Sequence, residues 1–155
     1  MQPDIVPIPA ADKALLWSRF QDYADEMTRY GTHARVDGEY PYPDFDLYWR
    51  EPDRHPFWAK VDGAHAAFAL VHTGARIEMA EFYSFPEFRR TGVALPFARG
   101  LLQRYPGPWE LTQYAANIGA VAFWRRTIAD YPYVEEAYVG DSGVERLRQT
   151  FTVPR

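Results

Sequence analysis

The hydrophobic period of this chain changes once near its middle, and that change limits the folds open to it. Three strand-length apolar runs follow one another closely: Phe57 to Val61, His65 to His72, and Arg76 to Tyr83. The turn signal Asp62-Gly63 separates the first two, and Thr73-Gly74 the second two. Connections this short join neighbouring strands only as antiparallel pairs, so the runs predict a meander. From residue 94 onward the period becomes helical. Ala94, Phe97, Ala98, Leu101, Leu102 and Tyr105 fall on one stripe. Pro96 is compatible with this helix because it lies in the first turn, where its missing N–H has no helical partner. Pro106-Gly107-Pro108 ends the run.

The remaining elements fit around this unit. Asp4 to Ile8 reads as a short strand, and a helix follows from about Ala10 to Met27 with Leu16, Phe20, Tyr23 and Met27 on one face. Tyr30-Gly31 ends it. After an Asp44 cap, Phe45, Tyr48 and Trp49 suggest a short second helix that Pro52 stops. The aromatic stretch around Tyr40-Pro41-Tyr42-Pro43 reads as a packed loop slightly ahead of a substrate lid, because aromatics serve burial more often than recognition. Beyond residue 108 come a strand from Trp109 to Tyr114 and a helix from about Asn117 to Asp130. Ala120, Phe123, Trp124, Thr127 and Ile128 lie on one side of that helix. Two strands, near Tyr133 to Val139 and Glu145 to Val153, complete the chain. The order β-α-α-β-β-β-α-β-α-β-β predicts an α+β fold. It is a mixed, largely antiparallel sheet of six to seven strands flanked by about four helices. No repeat or linker divides residues 1–155, which read as a single domain.

Composition removes several kinds of chemistry. Cysteine is absent, and with it disulfides, thiolate metal sites and cysteine nucleophiles. None of the four histidines, His33, His55, His65 and His72, forms an H-x-x-x-H pair, so no metal site is expected. The N-terminal MQPDIVPIPAADKALL lacks a basic region followed by an apolar run, and no apolar stretch approaches the ~20 residues of a membrane span. The expected location is the cytoplasm, with no membrane partner. A net charge of −4 argues against nucleic acid as a partner. Residues 1–70 hold twelve acids and seven bases, whereas residues 71–155 hold nine acids and ten bases. The surplus reads either as a solvated acidic face or as a first half that receives a cationic acceptor while the second receives an anion.

An anion site is written where the third run hands over to the helix. Arg89-Arg90-Thr91-Gly92-Val93-Ala94 precedes a helix N-terminus, which offers unpaired backbone N–H groups and a partial positive charge. Gly92 lets the backbone approach an anion, and Arg89 and Arg90 add charged donors. Neither the P-loop pattern G-x-x-x-x-G-K-[ST] nor the dinucleotide pattern G-x-G-x-x-G occurs. This hexapeptide resembles the R/Q-x-x-G-x-G/A motif of the GCN5-related N-acetyltransferases. Asn117, Ala120 and Phe123-Trp124 are similar to the N-x-x-A-x-x-hydrophobic-aromatic start of that family's next helix. The phrase WELTQYAANIGAVAFWRRTI resembles a bacterial subgroup of predicted acetyltransferases.

The resemblance implies acetyl-coenzyme A as co-substrate and an amine, probed first among small molecules, as acceptor; a homodimer stays open. It also implies a pose. Phe82, Tyr83 and Ser84 would bond the pantetheine arm through their backbone. The segment Arg89, Arg90, Thr91, Gly92, Val93, Ala94 and Leu95 would hold the pyrophosphate. Asn117, Ala120, Phe123 and Trp124 would line the opposite side, and the strands at 76–83 and 109–114 would splay to leave a cleft. Acetyl transfer needs a neutral amine, a polarised thioester carbonyl and a departing thiolate. A backbone N–H near Phe82 or Tyr83 is the oxyanion donor by this reading. Glu81 and then Glu78 are the general-base candidates, because a carboxylate in an apolar strand is costly unless it is paired or protonated. Strand alternation puts them on opposite faces unless a bulge intervenes. In many members a tyrosine in the last helix protonates the thiolate. Trp124 stands there in this chain, leaving Tyr83, Tyr114, Tyr131 or water for that step. Two other readings are a non-catalytic acyl-CoA-binding module of the same fold and an interaction domain using residues 40–58.

Overall fold

The structure, a computed structural model, describes residues 2–155. β2 (Arg54–Val61), β3 (Ala64–Thr73) and β4 (Ile77–Ser84) form the antiparallel meander. Asp62 and Gly63 adopt φ values of 50° and 82°, the left-handed pair that lets a two-residue hairpin follow the twist of its strands. The next connection is longer than its Thr73-Gly74 signal suggests: β3 runs through Thr73, and residues 74–76 make the loop. β1 (Asp4–Pro7) pairs outside β2. β5 (Gly107–Tyr114), β6 (Tyr133–Val139) and β7 (Glu145–Val153) extend the other side, giving the order β1-β2-β3-β4-β5-β7-β6. Every pairing is antiparallel except that between β4 and β5.

Three α-helices pack on this sheet: α1 (Lys13–Met27), α2 (Ala94–Arg104) and α3 (Ile118–Thr127). The expected fourth, Phe45–Trp49, is a 3-10 turn, and Ala10–Asp12 is a separate 3-10 turn ahead of α1. Five residues closed off by Pro52 cannot repay the cost of nucleating an α-helix. Side-chain alternation divides the core into two layers. Phe57, Ala59, Ala67, Ala69 and Val71 face α2 and α3 and meet Phe97, Leu101, Leu102 and Ile128. Trp58, Phe68 and Leu70 face α1 and meet Leu16, Phe20 and Ala24. The alanine row on the first face makes room for the larger residues of α2. Each fully buried Leu or Phe contributes about 1.5–3 kcal/mol, so both layers hold the sheet between its helices.

Two irregularities prepare a site in the middle of the sheet. β4 and β5 pair only at Ile77 with Trp109 and Glu78 with Glu110, then diverge, while β5 stays paired with β7 along its whole length. The splay expected between these strands is therefore present. In addition, Leu70 is in register with Glu81 but Val71 with Met79, so Ala80 is an extra residue in β4. Such a bulge turns the side chains beyond it.

Candidate functional site

The bulge at Ala80 corrects the alternation expected for β4. Met79 is in register with Val71, and Phe82 with Ala69, on the α2–α3 face. Glu78, Glu81 and Tyr83 are in register with His72, Leu70 and Phe68, so all three point to the α1 face. Glu81 and Glu78 thus share a face, yet only Glu81 reaches the opening between β4 and β5. Glu78 lies where the two strands are still paired, and it lines neither cavity described below. Further along β4, the Phe85 N–H donates to the Ala66 carbonyl at 3.0 Å. Counting back by the two-residue period of a strand, the Tyr83 N–H also turns toward β3, and the Phe82 N–H toward the open edge.

A cavity of about 430 Å³ fills the splay. Its floor is Met79 to Phe82 of β4 and Leu111 to Tyr114 of β5, and its roof is Phe20, Tyr23, Ala24 and Met27 of α1. Residues 32–34 and 40–42 close one side, and Arg146 of β7 closes the far end. The aromatic loop is fastened to α1. The Gln21 amide donates to the Tyr40 carbonyl at 2.9 Å and accepts from its N–H at 2.7 Å, while the Tyr40 hydroxyl donates to Asp25 at 2.8 Å. The loop is packed, as favoured from the sequence, and its inner side is also cavity wall. Tyr114 reaches up from β5 to His33, with 2.9 Å between its hydroxyl and Nε2. Gly31 is required by that approach: a Cβ there would lie 2.6 Å from the Tyr114 ring.

The electrostatics of the cavity are sparse. Among the described residues its wall carries one carboxylate, Glu81, and one guanidinium, Arg146. No acid from residues 1–70 lines it, so the acidic surplus of the first half lies elsewhere. Burial pushes the Glu81 carboxyl up to about 7, against a smaller downward pull from hydrogen bonding with Tyr23 and from the Arg146 charge. Burial, with the Glu81 charge behind it, raises the Tyr23 phenol well above its usual range, so it remains a proton-bearing donor. His33 is shifted down by burial and by Arg146, which favours its neutral form.

A second cavity, a groove of about 450 Å³, meets the first at Tyr23, Met27, Phe82, Asn117, Ala120 and Trp124. It continues past Tyr83 and Ser84 to Arg89 and Ala94. Asn117 caps α3, its side chain accepting the Ala120 N–H at 3.2 Å. Ala120 and Trp124 follow at helical spacing on the groove side, with Phe123 beside them. Trp124 is 7% exposed and meets the Phe82 ring edge-on at 5.0 Å. Its indole N–H makes no hydrogen bond among the described residues.

At the outer end of the groove, the chain reaches α2 without a side-chain cap. The N–H groups of Gly92, Val93, Ala94 and Leu95 have no backbone partner among the described residues. Arg90 and Gly92 hold φ values of 66° and 81°. Glycine is needed at 92 for that conformation rather than for crowding, since an added Cβ would meet nothing within 4 Å. Arg89 is pinned: it donates to Glu26 at 2.7 Å and to the Ser84 carbonyl at 3.2 Å. Arg90 is exposed and carries no ion pair among the described residues. Arg90, Thr91, Gly92, Val93 and Leu95 lie beyond the groove rim rather than in its wall.

The sequence candidates therefore divide. Phe82, Tyr83, Ser84, Arg89, Ala94, Asn117, Ala120, Phe123 and Trp124 come together along the groove, and Glu81 lines the adjoining cavity. Tyr83 is a poor acid, because burial and Glu26 push its phenol up. Tyr131 stacks on Phe151 within the core, 5.6 Å between centroids, and reaches neither cavity. Sequence reasoning missed Tyr23, His33 and Arg146. Tyr23 had a signal, a phenol on an apolar helix face that needs a partner once buried. Arg146 had none, being one of several charges in a terminal strand. No group of three or more His, Asp or Glu able to hold a metal occurs among the described residues.

No family model matches the sequence, and no curated protein does. Solved structures match it nearly end to end. A GNAT-family acetyltransferase from Streptococcus agalactiae superposes with a TM-score of 0.74 at 15% identity, covering 98% of this chain and 96% of that one. An acetyltransferase from Thermus thermophilus gives 0.72 at 14% identity, covering 99% and 98%. The ribosomal-protein-alanine N-acetyltransferase from Brucella melitensis gives 0.68 at 15% identity, covering 97% and 99%. With its splayed β4 and β5, bulged β4 and seven-stranded sheet, this chain has the fold of the GCN5-related N-acetyltransferases.

Proposed function

We propose that residues 1–155 form one acetyl-CoA-dependent N-acetyltransferase domain that acetylates the amine of a small acceptor by direct attack in a ternary complex. One observation carries this reading: a groove running from an uncapped helix N-terminus meets a cavity at Phe82, and Glu81, the residue before Phe82, lies in the cavity wall. The residues present fit acetyl-CoA. Free amides from Gly92 to Leu95, with Arg90 beside them, suit a pyrophosphate. The open edge of β4 at Phe82 to Ser84, facing Asn117, Ala120 and Phe123, suits a narrow amide-bearing arm. When bound, acetyl-CoA supplies an activated acyl group and a thiolate leaving group.

The chain's own part is proton handling and placement. An amine enters the cavity as an ammonium ion and must lose a proton before it attacks. Glu81, held near neutrality by burial, is ionised often enough at pH 7 to accept that proton. Tyr23, in the roof of the same cavity, offers its phenol as a neutral donor to that carboxylate. The outward N–H of Phe82 stabilises the negative charge that develops on the acyl oxygen. As the C–N bond forms and the C–S bond breaks, the nitrogen gives up its remaining surplus proton to water or to the departing thiolate, whose pKa near ~8.5 lets it leave without a dedicated acid. Trp124 in place of the usual tyrosine is the feature that favours the second reading, a non-catalytic acyl-CoA-binding module. A buried carboxyl poised near 7 is the feature that favours catalysis.

The volume of the cavity lies toward the lower end of the ~300–1,000 Å³ typical of small-molecule sites, which supports a small acceptor. Structures sharing this fold include a ribosomal-protein-S18-alanine N-acetyltransferase and a spermidine N-acetyltransferase, so the fold alone does not choose the acceptor. Cytoplasmic residence belongs to the same reading; no helix among the described residues is long and apolar enough to cross a membrane. Calorimetric titration with acetyl-CoA tests the proposal. Saturable one-to-one binding is expected, and absence of binding overturns both acyl-CoA readings.

A further inference from the structure

Arg146 is the cation of the acceptor cavity, and its setting is unusual for this molecule. Cross-strand register puts it between Tyr114 of β5 and Tyr138 of β6, on the face of the sheet that also carries Glu81. Three contacts fix its side chain. Nε donates to the Tyr138 hydroxyl at 3.2 Å, Nη2 donates to the Thr112 hydroxyl at 3.2 Å, and the Tyr114 ring lies 4.4 Å beneath the guanidinium. All three partners are neutral. Of the half-buried arginines, Arg19, Arg54 and Arg148 each sit within 4 Å of a carboxylate and Arg99 donates to two backbone carbonyls, but Arg146 has neither kind of partner among the described residues. Nη1 makes no hydrogen bond among them either.

A half-buried guanidinium held rigidly, without a counter-ion, at the end of a cavity is a pre-organised anion receptor. A planar fork with a free edge matches a carboxylate. The wall of the same cavity also carries Glu81, the group that takes a proton from an amine in the proposed reaction. We infer that the acceptor carries a carboxylate as well as its amine, as a small amino acid does, and that Arg146 anchors the carboxylate while the amine faces Glu81. This rests on the transferase reading of the cavity. It also replaces the cationic acceptor suggested by charge distribution, because a polyamine would bring like charge against Arg146 with only one carboxylate in the wall to receive it.

Arg146 is then a specificity-determining residue, tested by ligands that differ only in the anion. The probes are N-acetyl amino acids and their carboxamides, titrated into the protein without acetyl-CoA and followed by calorimetry. The acids are expected to bind at least tenfold more tightly than the amides, and Arg146→Gln to erase the difference. Arg146→Lys, which keeps the charge but loses the fork, should retain a reduced preference and serves if the Gln variant does not fold. Equal binding of acid and amide, or a preference that survives in Arg146→Gln, overturns the inference. Tighter binding of the matching aminoalkyl phosphonate than of the amino acid would overturn the carboxylate assignment. Failure of acetyl-CoA to bind, with the acid preference intact and dependent on Arg146, would remove the transferase reading and leave the anion receptor standing.

Discussion

The groove and the cavity adjoin at Phe82, next to Glu81, but differ in what they offer a ligand. The groove offers backbone at its outer end: the free edge of β4 lies in its wall, and four unpaired amides opening α2 and a positive-φ glycine lie at or just beyond its rim, within residues 82–95. The cavity is mostly side chain, drawn from α1, the loop after it, β4, β5 and β7. Backbone donors persist through most substitutions, so the groove depends on few identities. The cavity changes with every residue that lines it. In the proposed reading, then, the acyl-donor end follows from the fold, while the acceptor end is specific to this chain.

Substitutions at the two ends should separate cleanly. The largest effect is expected from Gly92→Asp, which forces a side chain into φ 81° and sets a negative charge before the free amides. The left-handed conformation alone costs about 1–2 kcal/mol, and charge repulsion adds to it. Acetyl-CoA affinity measured by calorimetry should fall at least ~100-fold; retention of affinity would dissociate the groove from phosphate binding. A smaller effect is expected from Gly31→Ala on the cavity side. Its Cβ would fall 2.6 Å from the Tyr114 ring, and relieving that overlap costs about 1–3 kcal/mol. A lower thermal midpoint and a raised acceptor KM, with acetyl-CoA affinity within about twofold, would confirm that the cavity wall is independent of the groove. Equal losses at both ends would break the distinction.

The smallest effect concerns stability at Glu81 itself. The folded state raises the Glu81 carboxyl from its ordinary value near 4.5 to about 7, so the folded protein binds the extra proton between those values. Stability linked to Glu81 is thus complete below about 4.5, falls as pH rises through about 7, and stays lowered above it. Glu81→Gln removes that penalty. In thermal melts it should stabilise the protein at pH 8 by on the order of 1–2 kcal/mol and change little at pH 4.5. A destabilised variant at pH 8 would mean that the carboxylate is compensated in the folded state.

How much of this was legible follows from where the information sits. The strands, α2 and α3 announce themselves through period and turn residues. Asp62-Gly63 could be assigned because its backbone demand is local. The Arg89 to Ala94 segment was readable for the same reason, as was the helix start at Asn117. The bulge at Ala80 was not, because it depends on how β4 registers against β3, and without it the orientation of Glu81 relative to Glu78 comes out wrong. Arg146 was invisible because its meaning comes from Tyr114 and Tyr138 on neighbouring strands and from the missing carboxylate. The roles of Arg89 were blurred too. Its charge pointed to an anion site, but the structure pairs it with Glu26 and leaves Arg90 without an ion pair among the described residues.

The central claim is that Glu81, in the wall of the cavity, takes the proton from the acceptor amine. The pH dependence of kcat/KM, compared between the wild-type protein and Glu81→Gln, tests it most directly. The wild-type rate should rise with pH up to an inflection at about 7 and then level, because only the ionised carboxyl accepts a proton. Glu81→Gln should be slower by on the order of 100-fold and lack the inflection, with acetyl-CoA affinity unchanged. An inflection near 7 that persists in Glu81→Gln, or a rate equal to wild type, would contradict it and assign the proton to another group or to water.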